Sequence, residues 1–131
     1  MHSYCIVYIN VNAYANEQLS IGLFAFDESN IYYKWSKQKL KIIKPLLLKY
    51  DCYNLVKMAI ESIDNYHIQE YKKALKNNKV NDYIISVNTI LNHNHIHCNN
   101  LILYSKVKEI RLELSEGWFN KQFNELIYNE K

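Results

Sequence analysis

Two glycines and one proline in 131 residues leave no room for flexible linkers, low-complexity tracts or a glycine-rich phosphate loop. No apolar run approaches the roughly 20 residues that a membrane span needs. The start, Met1-His2-Ser3-Tyr4-Cys5-Ile6, has no basic region leading into a long apolar stretch, so a secretory leader is not expected. A large excess of either positive or negative charge is also missing. A formal net charge of +3 supplies no long-range field toward nucleic acid or an anionic membrane. Cys5, Cys52 and Cys98 are odd in number and widely spaced, which fits reduced thiols in a cytoplasmic protein better than a disulfide framework. Gly-x-Ser-x-Gly, His-Glu-x-x-His and paired CxxC motifs are all lacking.

What remains is the composition of one ordinary domain spanning 1–131, with 49% hydrophobic and 22% charged residues, enough for one real core. Lys, Asn, Ile and Tyr abound, as an AT-rich coding sequence would supply, so the 12 tyrosines carry less information than their number suggests. Asn77-Asn78 and Asn99-Asn100 read as turns.

Residues 4–11 are β-branched and aromatic on both alternating faces, which predicts a central strand covered on both sides. Residues 18–27 form a second strand, with Leu19, Ile21, Leu23 and Ala25 on one face and Gly22, Phe24 and Phe26 on the other. Gly22 inside that run marks a bulge or a close approach of another backbone. Residues 31–35 complete a three-stranded antiparallel meander.

From Ser36 the period becomes helical. Leu40, Ile43 and Leu47 share a face, and Pro45 is expected to break the segment into two pieces. Asp51 is a candidate N-cap for a long helix whose stripe runs Leu55, Met58, Ala59, Ser62, Ile63, Tyr66, Tyr71 and Leu75, stopping near Asn77-Asn78. Asp82 is a candidate cap for another short helix, although residues 83–91 suit a strand as well. Leu101–Tyr104 should be a strand, and Ile110, Leu112 and Leu114 alternate as another. Ser115 caps a last helix that buries Trp118, Phe119, Phe123, Leu126 and Ile127. The fold class is α+β: a mostly antiparallel sheet opening with the meander, helices packed on it, and a C-terminal helix.

Tyr4-Cys5-Ile6-Val7-Tyr8, a polar loop and then Glu17-Gln18-Leu19-Ser20-Ile21-Gly22-Leu23-Phe24 resemble a bacterial family called domain of unknown function 3037. Members open with a tyrosine-containing strand, followed by a second strand of pattern Glu-Phe-x-Asn-Val-Gly-Val. Glu17, Ile21, Gly22 and Leu23 match, whereas Gln18 stands in place of the aromatic and Ser20 in place of the asparagine. Asn100–Ser105 and the aromatic segment from Gly117 to Ile127 are also similar to the family. The resemblance implies no established activity, and no cofactor is expected from the sequence. It implies an accessory protein of a small bacterial gene system, encoded near HipA-like kinases. The histidines discussed next are not part of the family pattern.

His93, His95 and His97 fall in one short segment, His-Asn-His-Ile-His-Cys. On a strand they would share a face, and imidazoles so placed suit zinc, copper, iron or nickel. Against that stand the surrounding asparagines and the lack of a nearby carboxylate to orient the rings. Cys98 beside His97 would point to the opposite face and reads as structural. Glu17 is an exposed carboxylate candidate without a visible acid–base partner. The basic run Lys34, Lys37, Lys39, Lys41 and Lys44, with Tyr32, Tyr33 and Trp35, combines phosphate-neutralising and stacking groups.

Three functions follow. The leading one is a small non-enzymatic interaction or accessory subunit of a bacterial or phage-derived gene system, antitoxin-like or defence-associated, whose partner is a protein such as a HipA-like kinase. It would bind through an exposed strand edge or through the 31–50 region, with Tyr32, Tyr33, Trp35, Lys39 and Lys41 as partner-binding candidates. The alternatives are a metal-dependent hydrolase or nuclease using His93, His95 and His97, and a nucleic-acid-binding module.

Overall fold

β1 (His2–Asn12) organises the molecule because both of its faces are apolar and both are covered. The computed structural model describes residues 1–12, 17–49, 52–96 and 102–127. β1 pairs antiparallel with β2 (Glu17–Phe26), and β2 with β3 (Ile31–Trp35), so the expected meander forms. On its other side β1 pairs with β4 (Ile102–Tyr104) and, nearer its start, with β5 (Lys108–Ile110). The sheet order is β3-β2-β1-β4, with β5 continuing beside β1. Leu112 and Leu114 lie beyond β5 rather than within it, since the pairing with β1 runs from Lys108 to Ile110, opposite His2.

Cys5, Val7 and Ile9 point into a core shared with α1 (Lys37–Lys49), α2 (Tyr53–Lys76) and α3 (Val80–Ile96). Ile6 points the other way, with Leu23 and Ala25, against Phe119 and Phe123 of α4 (Glu116–Leu126). The α+β class holds, with three helices on one face of the sheet and one on the other.

A bulge decides which face the residues of β2 occupy. Val7 pairs with Gly22 and Tyr8 with Ser20, which leaves Ile21 as the extra residue. The parity flips there. Leu19 and Ile21 join Phe24 and Phe26 on the side of the three helices, while Leu23 and Ala25 face α4. The expectation that Leu19, Ile21, Leu23 and Ala25 share one face is thereby corrected, and of the two readings of Gly22, a bulge or a close backbone approach, a bulge is found beside it at Ile21.

Pro45 does not divide α1. The ring lies on the exposed face, so the carbonyl of Lys41 that loses its helical donor is left toward water. Asp51 lies outside the described residues, and the cap position of α2 is Cys52, without a side-chain capping bond. α2 buries Val56, His67 and Ala74, with Ile60, Ile63 and Tyr71 partly covered. Leu55, Met58 and Leu75 of the expected stripe are instead exposed. α2 carries apolar residues on more than one face, and periodicity alone could not choose between them. Asn78 adopts a left-handed φ of 53° just after α2, as asparagine tolerates.

Residues 83–91 are helical: Tyr83, Ile84, Val87 and Leu91 recur at helical spacing on the buried side of α3. Asp82 sits in the first turn rather than at the cap. The Ser115 hydroxyl accepts from Trp118 N, the capping expected from the sequence. Ser115→Ala should lower stability by about 1 kcal/mol in urea unfolding, without altering the far-UV CD spectrum of the folded state. Phe119, Phe123 and Ile127 are buried, whereas Leu126 is exposed. No helix among the described residues is long and apolar enough to cross a membrane.

Candidate functional site: the open edge of β3

β3 ends the sheet, and among the described residues no strand pairs with its outer side. The Ser36 amide donates to Ile21 O at 2.6 Å and the Asp27 amide to Asn30 O at 2.9 Å. These fix the alternation of the antiparallel ladder. Tyr32 and Lys34 direct their backbone groups to β2, and Ile31, Tyr33 and Trp35 direct theirs outward.

The side chains of β3 divide between the two faces. Tyr33 stacks on Phe24 at 5.2 Å with an interplanar angle of 13°, and Trp35 meets the same Phe24 edge-on at 6.0 Å. The Trp35 indole N–H donates to Asp64 Oδ1 of α2 at 2.7 Å. On the opposite face Tyr32 stacks on Phe119 of α4 at 5.7 Å, and Lys34 Nζ lies 4.8 Å over the Phe123 ring. The edge therefore stands between α2 and α4, and a groove of about 390 Å³ runs along it.

His67 and Tyr83 lie in the wall of that groove. His67 is 5% exposed and surrounded by Phe24, Tyr33, Tyr66 and Tyr83. Its Nδ1 shares a 2.7 Å hydrogen bond with the Tyr83 hydroxyl. Burial pushes the imidazole pKa down to about 4, so the ring is neutral near pH 7. Burial raises the Tyr83 pKa, which keeps the phenol protonated. This wall was not legible beforehand, since His67 had no motif and no partner nearby in sequence.

The partner-binding candidates do not form one patch. Tyr32, Tyr33 and Trp35 belong to the β3 edge, although their rings are packed against other rings rather than standing free for base stacking. Lys39 is committed elsewhere: its Nζ donates to Ser20 O at 2.9 Å and to Ser20 Oγ at 3.1 Å, tying α1 to β2 beside the bulge. Burial lowers its pKa. Lys41 lies with Lys37 and Lys44 on a different face of α1.

His93 and His95 occupy the last turn of α3. The two-residue spacing that would align them on a strand turns them through about 200° on a helix, so the shared-face argument does not hold for this pair. His95 Nδ1–H donates to Tyr104 O at 2.9 Å, which docks the end of α3 against β4. His97 and Cys98 lie outside the described residues. Among the described residues no three His, Cys, Asp or Glu side chains gather as metal ligands would. Glu17 opens β2 opposite Asn12. Cys5 is fully buried, its thiol donates to Ser105 O at 3.2 Å, and burial pushes its pKa up to about 11, so it is no nucleophile near neutral pH.

None of the protein-family models, curated proteins or solved structures compared with the chain matches it.

Proposed function

We propose that this protein is a non-enzymatic interaction subunit that takes up an extended segment of a partner protein as an added strand along β3. One observation carries the reading: Ile31, Tyr33 and Trp35 turn their backbone groups outward, and Ile31 and Tyr33 line a groove walled by α2 and α4. Strand addition uses such an edge, with main-chain hydrogen bonds supplying affinity and flanking pockets selecting alternate side chains. Exposed edges are otherwise aggregation hazards, which favours an edge that has a regular occupant. The resemblance to domain of unknown function 3037 supports an accessory, antitoxin-like or defence-associated role in a bacterial or phage-derived system, with a HipA-like kinase as the first partner to try. The interaction reading is preferred to nucleic-acid binding because Tyr33 and Trp35 are packed under the helices and Lys39 is engaged with Ser20.

Amide hydrogen exchange tests this. In the free protein the amides of Tyr33 and Trp35 should exchange quickly while those of Tyr32 and Lys34 are protected. Adding the partner should protect the first pair as well. Ile31→Pro removes an outward donor at the first residue of the strand, where proline is tolerated, and should weaken binding roughly tenfold with the fold retained. A bound partner that leaves Tyr33 and Trp35 unprotected, or substrate turnover by the isolated chain, would refute the proposal.

A further inference from the structure

A second concavity, unrelated to the β3 edge, lies between α1 and α2. It measures about 530 Å³, with Leu47 and Val56 buried at its base and Leu40, Tyr53 and Ile60 on its walls. Lys37, Lys41 and Lys44 line it from α1 and Lys57 from α2, against a single acidic residue, Glu61. Four lysines and one glutamate give this rim a formal charge of +3, as large as that of the whole chain. The basic character of the protein is thus concentrated around one apolar cleft, and Lys44 Nζ sits 4.8 Å over the Tyr53 ring at its edge.

We infer that this cleft receives an acidic amphipathic helix of a partner protein, its apolar face on Leu47 and Val56 and its carboxylates on the lysines. The cleft is walled by helices, and apart from the Lys41 carbonyl that Pro45 leaves without a helical donor their mid-helix backbone groups are satisfied internally, so it offers no ladder to an extended strand. An occupant must satisfy its own backbone, as a helix does, and bind through side chains. The charge spacing points the same way. Lys37, Lys41 and Lys44 stand at i, i+4 and i+7 over about 10 Å of α1. That row matches carboxylates placed one turn apart on a facing helix, whereas a fatty acid brings one carboxylate to one end of its chain. The lysines also stand on both walls, which suits a ligand lying along the cleft.

The inference is independent of strand addition at β3, and the two fail separately. The probe is a synthetic helix of about 15 residues carrying Leu at i, i+4 and i+7 and Glu at the flanking positions. Binding to the full chain is read by fluorescence anisotropy at two salt concentrations, beside oleate and phosphatidylserine vesicles. The acidic helix should bind and weaken with salt. Lys37→Glu/Lys41→Glu/Lys44→Glu should reduce its binding roughly tenfold or more, and a helix with Lys in place of Glu should regain affinity for that variant. All three lysines are exposed, so CD and the β3 exchange pattern should be unchanged. Failure of the acidic helix to bind, binding indifferent to the triple substitution, or binding of vesicles or oleate alone would overturn the inference.

Discussion

Lowering the pH from 7 to 4 is expected to remove up to roughly 3 kcal/mol of folding stability through His67 alone. The unfolded imidazole titrates near 6.5 and the folded one near 4, because burial disfavours its charged form. Between those values the unfolded chain binds more protons than the folded one. The contribution is therefore intact above about pH 6.5 and is lost progressively as the pH falls toward 4. The groups facing His67 are the Phe24 ring and the tyrosines Tyr33, Tyr66 and Tyr83, none of which brings a negative charge to balance an imidazolium.

Urea unfolding at pH 7, 5.5 and 4 measures the loss, but the carboxylates of the chain also contribute to any acid slope. The double variant His67→Phe/Tyr83→Phe isolates the histidine. It removes both partners of the 2.7 Å hydrogen bond, so no buried polar group is orphaned, and the cost at pH 7 should be small. Its stability should fall less steeply between pH 6.5 and 4 than that of the parent. Parallel slopes would show that His67 titrates as an ordinary exposed histidine and that the α2 wall of the groove is not closed.

Gly22→Ala is expected to cost about 1–3 kcal/mol, the range for forcing extra volume into a packed site. A Cβ built on Gly22 meets two atoms of the Trp35 ring at 2.5 and 2.7 Å. The ring cannot simply retreat, because its N–H is bonded to Asp64 and it packs edge-on against Phe24. The reason for glycine here is this close approach alone, as no glycine has a positive φ. A cycle with Trp35→Leu checks the assignment. In that background Gly22→Ala should cost clearly less than in the parent, since the obstructing ring is gone. Equal costs in both backgrounds would place the penalty in the β2 bulge itself. Because Trp35 belongs to the β3 edge, Gly22→Ala should also disturb the exchange pattern of Tyr33 and Trp35.

Much of the local structure was legible because its causes are local. The alternating aromatic and β-branched residues of 4–11 and 31–35 produce the two strands they predict. The Ser115 hydroxyl is three residues from the amide it caps, and Asn77-Asn78 ends α2 where expected. The α+β class followed from the order of such segments. Gly22 was recognisable as a bulge signal, although what the bulge does was not.

Choices between equally periodic alternatives needed the tertiary structure. Whether Leu19 and Ile21 share a face with Leu23 or with Phe24 depends on one unpaired residue, which the pairing of Val7 and Tyr8 determines. Whether α2 buries Val56 and His67 or Leu55 and Met58 depends on what packs against it. Pro45 was expected to break α1, but its cost depends on whether the freed carbonyl meets water or core. The histidine segment shows the same limit: helical geometry at 93–96 separates two side chains that an extended backbone would align.

The candidate site divides along this line. Local pattern was enough to make a strand of Tyr32, Tyr33 and Trp35 and to put the following lysines on a helix. It also determined that the chain supplies no motif for phosphate binding or nucleophilic catalysis. Packing across the chain makes this strand an edge, sets His67 and Tyr83 in the wall beside it, and sends Lys39 and Lys41 to different surfaces. The physical reason is that an edge, a groove and a burial-shifted pKa are properties of what a residue lacks or meets across space. Here those relations join residue 24 to 33 and 67, residue 67 to 83, and residue 32 to 119, which no spacing along the chain connects.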